Sequence, residues 1–117
     1  MVEYVLYVVA LFCALWLLSV VFPIIWVDGV SMYPTFTHKQ LLLSTRIFIK
    51  PIAGCVYVYE SPQGETVIKR LSHVREEKYY FVGDNKDHSF DSRHYGGVYK
   101  DCIISKVLFT KKKEVIN

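Results

Sequence analysis

The sequence predicts a mainly β chain: one N-terminal transmembrane helix, residues 1–26, followed by a small antiparallel β-domain, residues 27–117. Three observations carry that expectation. The run YVLYVVALFCALWLLSVVFPIIWV, Tyr4 to Val27, contains no Asp, Glu, Lys, Arg or His. Beyond it, short apolar runs are separated by turn residues, the signature of successive short strands. And no later segment sustains the apolar period of a helix.

The elements follow in order. About 20 apolar residues cross the hydrocarbon core as a helix, so the first run qualifies as a span ending near Pro23. Tyr4, Trp16 and Trp26 are candidate interface anchors. A cleaved secretory signal would have a basic start, a shorter apolar core and a small-residue cleavage site. MVEY, the length of the run and FPIIW match none of these, which favours an uncleaved anchor. Charge does not orient the span, because only the amino terminus and Glu3 precede it and few basic residues follow. QLLLSTRIFI then reads as a strand broken by KPIAG, and CVYVY as a second strand ended by the turn ESPQGE. TVIKRLSHV alternates, REEK interrupts, and YYFV resumes. GDNKDHSFDSRHYGG is a long polar loop and CIISKVLFT a last strand.

Composition narrows the function classes. The net charge is +3, and Lys111 to Lys113 supply that excess alone. A nucleic-acid binder would gather basic residues with aromatic partners on one face, so no nucleic-acid partner is expected. Cys13 lies in the apolar run; Cys55 and Cys102 could pair in an oxidising compartment or stay as buried thiols, and spacing leaves both open. His88 and His94 flank aspartates, but no C-x-x-C or H-E-x-x-H spacing occurs. DNKDHSFD also lacks the alternating carboxylates and central glycine of a calcium loop, so no metal is expected.

Lys69 is the first chemically suggestive residue. On a strand, Val67, Lys69 and Leu71 share one face, and Thr66, Ile68 and Arg70 the other. Lys69 then has apolar neighbours, while Arg70 points away. Lost hydration favours the neutral amine. An unperturbed lysine is neutral in only about one molecule in 2,500 at pH 7, so burial decides whether it can be a base. A lysine snorkelling from an edge strand is the alternative. Ser31, in the turn-like stretch VDGVSMYPTF, is the second such residue. A serine there ordinarily bonds local backbone, and becomes a nucleophile only when a base takes its proton. Serine-lysine pairs are one known form of that arrangement.

GVSMYPT, VIKR and GDNKDHSFDSRHYG, in that order behind an apolar N-terminal run, resemble the motifs of type I signal peptidases, membrane-anchored serine-lysine endopeptidases. The resemblance covers the anchor and nearly all of the domain, and VDGVSMYPT is closer to the Gram-positive form than to the larger Gram-negative one. It implies Ser31 as nucleophile, Lys69 as general base, and Ser89 as a hydroxyl orienting the lysine amine. It implies an Asp91–Arg93 salt bridge bracing the loop, with Asp84 and Ser92 in the same support. The Ser31 backbone N–H would serve an oxyanion hole to which some relatives add a hydroxyl two residues earlier; Gly29 stands there and has none. No organic cofactor is implied. The partners would be a lipid bilayer and membrane-inserted precursors with signal peptides, cut after small residues in an A-x-A pattern. The resemblance also implies a single-pass protein with its catalytic domain on the extracytoplasmic side. This chain departs from the family in lacking a GxPGD segment after Lys69–Arg70, in lacking the large insertion, and in carrying Val30 before the nucleophile. A dedicated maturation peptidase for one or few precursors, and an inactive signal-peptide-binding relative, are the alternative readings.

Overall fold

The computed structural model describes residues 1–47 and 50–115. Helix α1, Val2–Val21, carries one charged residue, Glu3, and none of its residues is buried. At about 1.5 Å per residue its 20 residues span about 30 Å, enough to cross a membrane. It stops short of Pro23 because a residue before proline avoids the helical region; Phe22 sits at φ −121°. The exit is then tied to the next sheet. Arg46 N–H donates to Val21 O (2.9 Å) and Ser44 N–H to Pro23 O (3.0 Å).

Among the described residues seven strands follow: β1 (Ile24–Trp26), β2 (Leu41–Thr45), β3 (Val56–Glu60), β4 (Thr66–Arg75), β5 (Lys78–Val82), β6 (Val98–Tyr99) and β7 (Ile103–Val107). They form one antiparallel sheet in the order β1-β2-β7-β3-β4-β5-β6. The fold is therefore mainly antiparallel β behind one apolar helix, the predicted class. Ile24–Trp26, counted in the sequence with the apolar anchor, pairs with Leu41–Leu43 as an edge strand. The predicted strand QLLLSTRIFI reaches Thr45; its end at residues 48–49 lies outside the described residues. REEK is the turn of a tight hairpin, with Glu76 and Glu77 both at positive φ, 52° and 66°. The long polar loop holds a 3-10 turn, Lys86–His88, and a short helix α2, Ser92–Tyr95.

Two apolar clusters lie on the sheet's two faces. Val27, Met32, Phe36, Leu42, Val56, Val58 and Val107 form one. Tyr57, Tyr59, Leu71, Phe81 and Val98 form the other, with Tyr59 stacked on Phe81 at 4.3 Å. Strand alternation sends Val56 and Val58 to one side and Tyr57 and Tyr59 to the opposite one. The register also answers the cysteine question. Tyr57 pairs with Lys106 and Tyr59 with Ile103, so Cys55 and Cys102 stand at opposite ends of the β3–β7 ladder. That places them about 15 Å apart at about 3.3 Å per residue, far beyond disulfide reach. All three cysteines are free.

Candidate active site

Ser31 sits on the loop between β1 and β2. Val27 N–H donates to Gln40 O (2.9 Å) and Lys39 N–H to Val27 O (2.7 Å), closing the loop at its base. Higher up, Gly29 N–H donates to His38 Nδ1 (2.8 Å). Gly29 has φ +86°, a conformation open to glycine without steric cost. Met32, 1% exposed, plugs the loop into the first apolar cluster.

Lys69 comes from β4, directly opposite Tyr57 and one position from Val67's partner Tyr59 on the same face. It is 5% exposed, and its Nζ hydrogen-bonds Ser31 Oγ at 2.5 Å. Burial lowers its pKa below the ordinary lysine value; the Asp91 carboxylate opposes that shift and the Arg93 guanidinium adds to it. Thirty-eight residues of chain separate the two groups, so only the fold brings them together.

Asp91 is the fully buried hub of the polar loop. Its Oδ2 accepts from Gly83 N–H (2.9 Å) and from the Ser89 hydroxyl (2.6 Å). Arg93 Nε donates to Oδ1 (2.9 Å) and Nη2 to Oδ2 (3.0 Å). Asp91 also caps α2, accepting from Arg93 N–H while its own N–H donates to His94 Nδ1 (3.2 Å). Burial alone would raise its pKa; the bonds from Arg93, Ser89 and Gly83 outweigh that and hold it at about 2. The Ser89 proton is committed to Asp91, which leaves the hydroxyl's lone pairs as its remaining hydrogen-bonding capacity.

The segment Gly83–Asn85 grips the loop that carries Ser31. Asn85 N–H donates to Ser31 O (2.9 Å), Asn85 Nδ2 to Val30 O (3.0 Å), and Asp84 N–H to Met32 Sδ (3.4 Å). Gly83 is wedged between Ser31 and Ser89: a Cβ there would strike the Ser89 hydroxyl and come within 2.6 Å of Ser31 O. Asp84 accepts from Thr35 and from Arg70, whose Nε and Nη2 each lie 2.8 Å from its carboxylate. Burial pushes the Asp84 pKa up, but the Arg70 and Thr35 bonds outweigh it and the net shift is downward. Arg70 Nη1 reaches on to Gly54 O (2.6 Å) and Lys111 O (3.0 Å), tying in the C-terminal segment.

Several sequence-predicted residues therefore converge. Ser31 meets Lys69, and Asp91 meets Arg93 and Ser89. Asp84 departs from expectation: it pairs with Arg70, on the side of the sheet opposite Lys69. Ser92 accepts from Phe81 N–H (2.9 Å) and fixes α2 to β5. Gly29 lines the site but its N–H is taken by His38. Sequence reasoning passed over Gly83, Asn85, Arg70 and His38. Two adjacent cations on a buried strand were a usable signal, since the second needs a carboxylate of its own. A cleft of about 590 Å³ opens over Ser31 and Lys69, walled by β1, the start of β4, Phe90 and Tyr95. Among the described residues no three His, Cys, Asp or Glu side chains gather as a metal site.

Residues 65–111 match the signal peptidase (peptidase S26) family. A signal peptidase I of Buchnera aphidicola subsp. Baizongia pistaciae is 30% identical over 77 residues, 66% of this chain. Over these segments the chain is similar to signal peptidases. It spans about a fifth (21%) of the length of that relative. The family match contains Lys69, Arg70, Asp84, Ser89, Asp91 and Arg93, whereas Ser31 lies upstream and joins them through the fold.

Proposed function

We infer that this chain is a membrane-anchored endopeptidase that removes N-terminal signal peptides from exported precursors. Ser31 is the nucleophile and Lys69 the general base. The observation that carries the reading is the 2.5 Å contact between Ser31 Oγ and the amine of a lysine that is only 5% exposed. A neutral amine accepts the serine proton as Oγ attacks the scissile carbonyl. The resulting ammonium gives that proton to the leaving amine, which yields an acyl-enzyme. Lys69 then deprotonates a water that attacks the ester and restores the serine. Ser31 N–H supports the oxyanion, Ser89 and Asp91 hold the amine's surroundings, and Arg93 neutralises Asp91.

Residues 1–26 are taken as the anchor and residues 27–117 as the catalytic domain, which faces away from the cytoplasm. Ser31 lies four residues beyond Val27, the last residue of the apolar run, and ten beyond Val21, where helix α1 ends. A nucleophile held there reaches peptide bonds just outside the bilayer, where a membrane-inserted precursor presents its cleavage site. The test uses vesicles holding the full chain and several unrelated precursors. Wild type is expected to release signal peptides, while Ser31→Ala and Lys69→Arg do not, the guanidinium staying protonated. A fully active Lys69→Arg would exclude the lysine as base. Processing of a single precursor out of the set would narrow the enzyme to a dedicated peptidase.

A further inference from the structure

The peptide bond joining Val30 to Ser31 is held from behind. Val30 O accepts two hydrogen bonds, from Asn85 Nδ2 (3.0 Å) and from Tyr33 N–H (3.1 Å). In a planar trans peptide the N–H points opposite to the C=O, so fixing Val30 O also fixes the direction of Ser31 N–H. Among the described residues nothing accepts a hydrogen bond from Ser31 N–H. The residue borders the cleft that also holds Lys69. On the other side of the same residue, Asn85 N–H bonds Ser31 O (2.9 Å), so one residue clamps both peptide groups flanking the nucleophile.

We propose that Asn85 is a positioning residue for the oxyanion hole: its side-chain amide holds Val30 O and thereby aims Ser31 N–H at the developing oxyanion. The proposal rests on the peptidase reading above. The Gly29 position cannot compensate, since it has no hydroxyl and its N–H is engaged by His38. The hole in this chain therefore depends on Ser31 N–H to an unusual degree. Losing a whole oxyanion donor costs about 10²–10³ in kcat. Tyr33 N–H still holds Val30 O when Asn85 is changed, so the loss expected here is smaller, about 10- to 100-fold.

The experiment uses the full chain in detergent micelles with two probes, an N-acetylated Ala-Leu-Ala aldehyde and the matching alcohol. The aldehyde forms a tetrahedral adduct with Ser31 whose oxygen occupies the hole; the alcohol binds the same cleft without an adduct. Asn85→Asp keeps the shape of the side chain but turns an oxygen lone pair toward Val30 O, and Asn85→Ala removes the group. Both are expected to raise the aldehyde Ki about 10- to 100-fold, with Asp the worse. The alcohol Ki and KM should stay within about 2-fold, and kcat should fall with the aldehyde affinity. Equal loss of aldehyde and alcohol binding would mean that Asn85 only maintains the fold, and would overturn the proposal. Unchanged aldehyde affinity in both variants would overturn it equally. A wild-type chain that binds the aldehyde no better than Ser31→Ala would instead defeat the peptidase reading, and this proposal with it.

Discussion

Asp84→Ala removes one half of a buried ion pair and leaves the other half in place. The Arg70 and Asp84 side chains are 3% and 4% exposed, and two of the guanidinium nitrogens donate to the carboxylate at 2.8 Å. Arg70 cannot discharge itself by losing a proton. Stranding a buried charge in this way costs about 3–5 kcal/mol. The Thr35 hydroxyl loses its acceptor as well, at about 1 kcal/mol. For a domain of this size total stability is about 5–14 kcal/mol, so the change removes a large share of it. Each kcal/mol moves the midpoint of a 60–100-residue domain by about 4–8 °C. A near-UV circular dichroism melt of the full chain in micelles should therefore fall by about 12 °C or more. A double-mutant cycle with Arg70→Ala separates the pair from general disruption: the double variant should lose much less than the two single losses added together. A melt of Asp84→Ala within about 4 °C of wild type would refute the claim that this pair ties the Ser31 loop, β4 and the C-terminal segment together.

Other consequences follow from the same charges. Asp91 is held at about pH 2 against an ordinary carboxylate value near 4, so its contribution is complete above about pH 4 and is lost as pH falls through about 2. That shift corresponds to about 2–3 kcal/mol, and Asp91→Asn should flatten acid unfolding over that window. Lys69 behaves in the opposite sense. Its folded pKa is lowered, so between the folded and unfolded values the unfolded chain binds more protons and stability rises with pH. Lys69→Met, which keeps the volume without the amine, should be inactive yet melt higher than wild type at neutral pH, and the difference should shrink as pH approaches the ordinary lysine value. A lower melt for Lys69→Met at neutral pH would contradict that sign.

Much of this architecture was legible because apolar alternation fixes both the strands and their sidedness. CVYVY and TVIKRLSHV became paired strands β3 and β4, with Val67, Lys69 and Leu71 on one face as their spacing requires. Arg70 does point to the other face, but that face is covered too, by the Asp84 segment and the returning C-terminal chain. A period-2 pattern cannot show whether a polar residue meets water or a buried partner. Ile24–Trp26 was hidden for a different reason. Its residues are as apolar as the helix before them, and only Pro23 marks the change. The short helix α2 escaped notice inside a polar loop, although DSRH carries its cap: Asp91 accepts at the N-terminus and His94 reciprocates. The clamps on the Ser31 loop from His38 and Asn85 depend on where distant backbone falls, and no local pattern announces them.

The central claim is that a buried amine at position 69 is uncharged enough at working pH to take the Ser31 proton. Nuclear magnetic resonance titration of the Lys69 side chain, isotope-labelled in the full chain in micelles, tests it directly, with activity followed across the same pH range. The account predicts that Lys69 titrates below the ordinary lysine value because of its burial, and that activity rises with that same midpoint. A Lys69 resonance that titrates at or above the ordinary lysine value, in a chain that still cleaves, would contradict it.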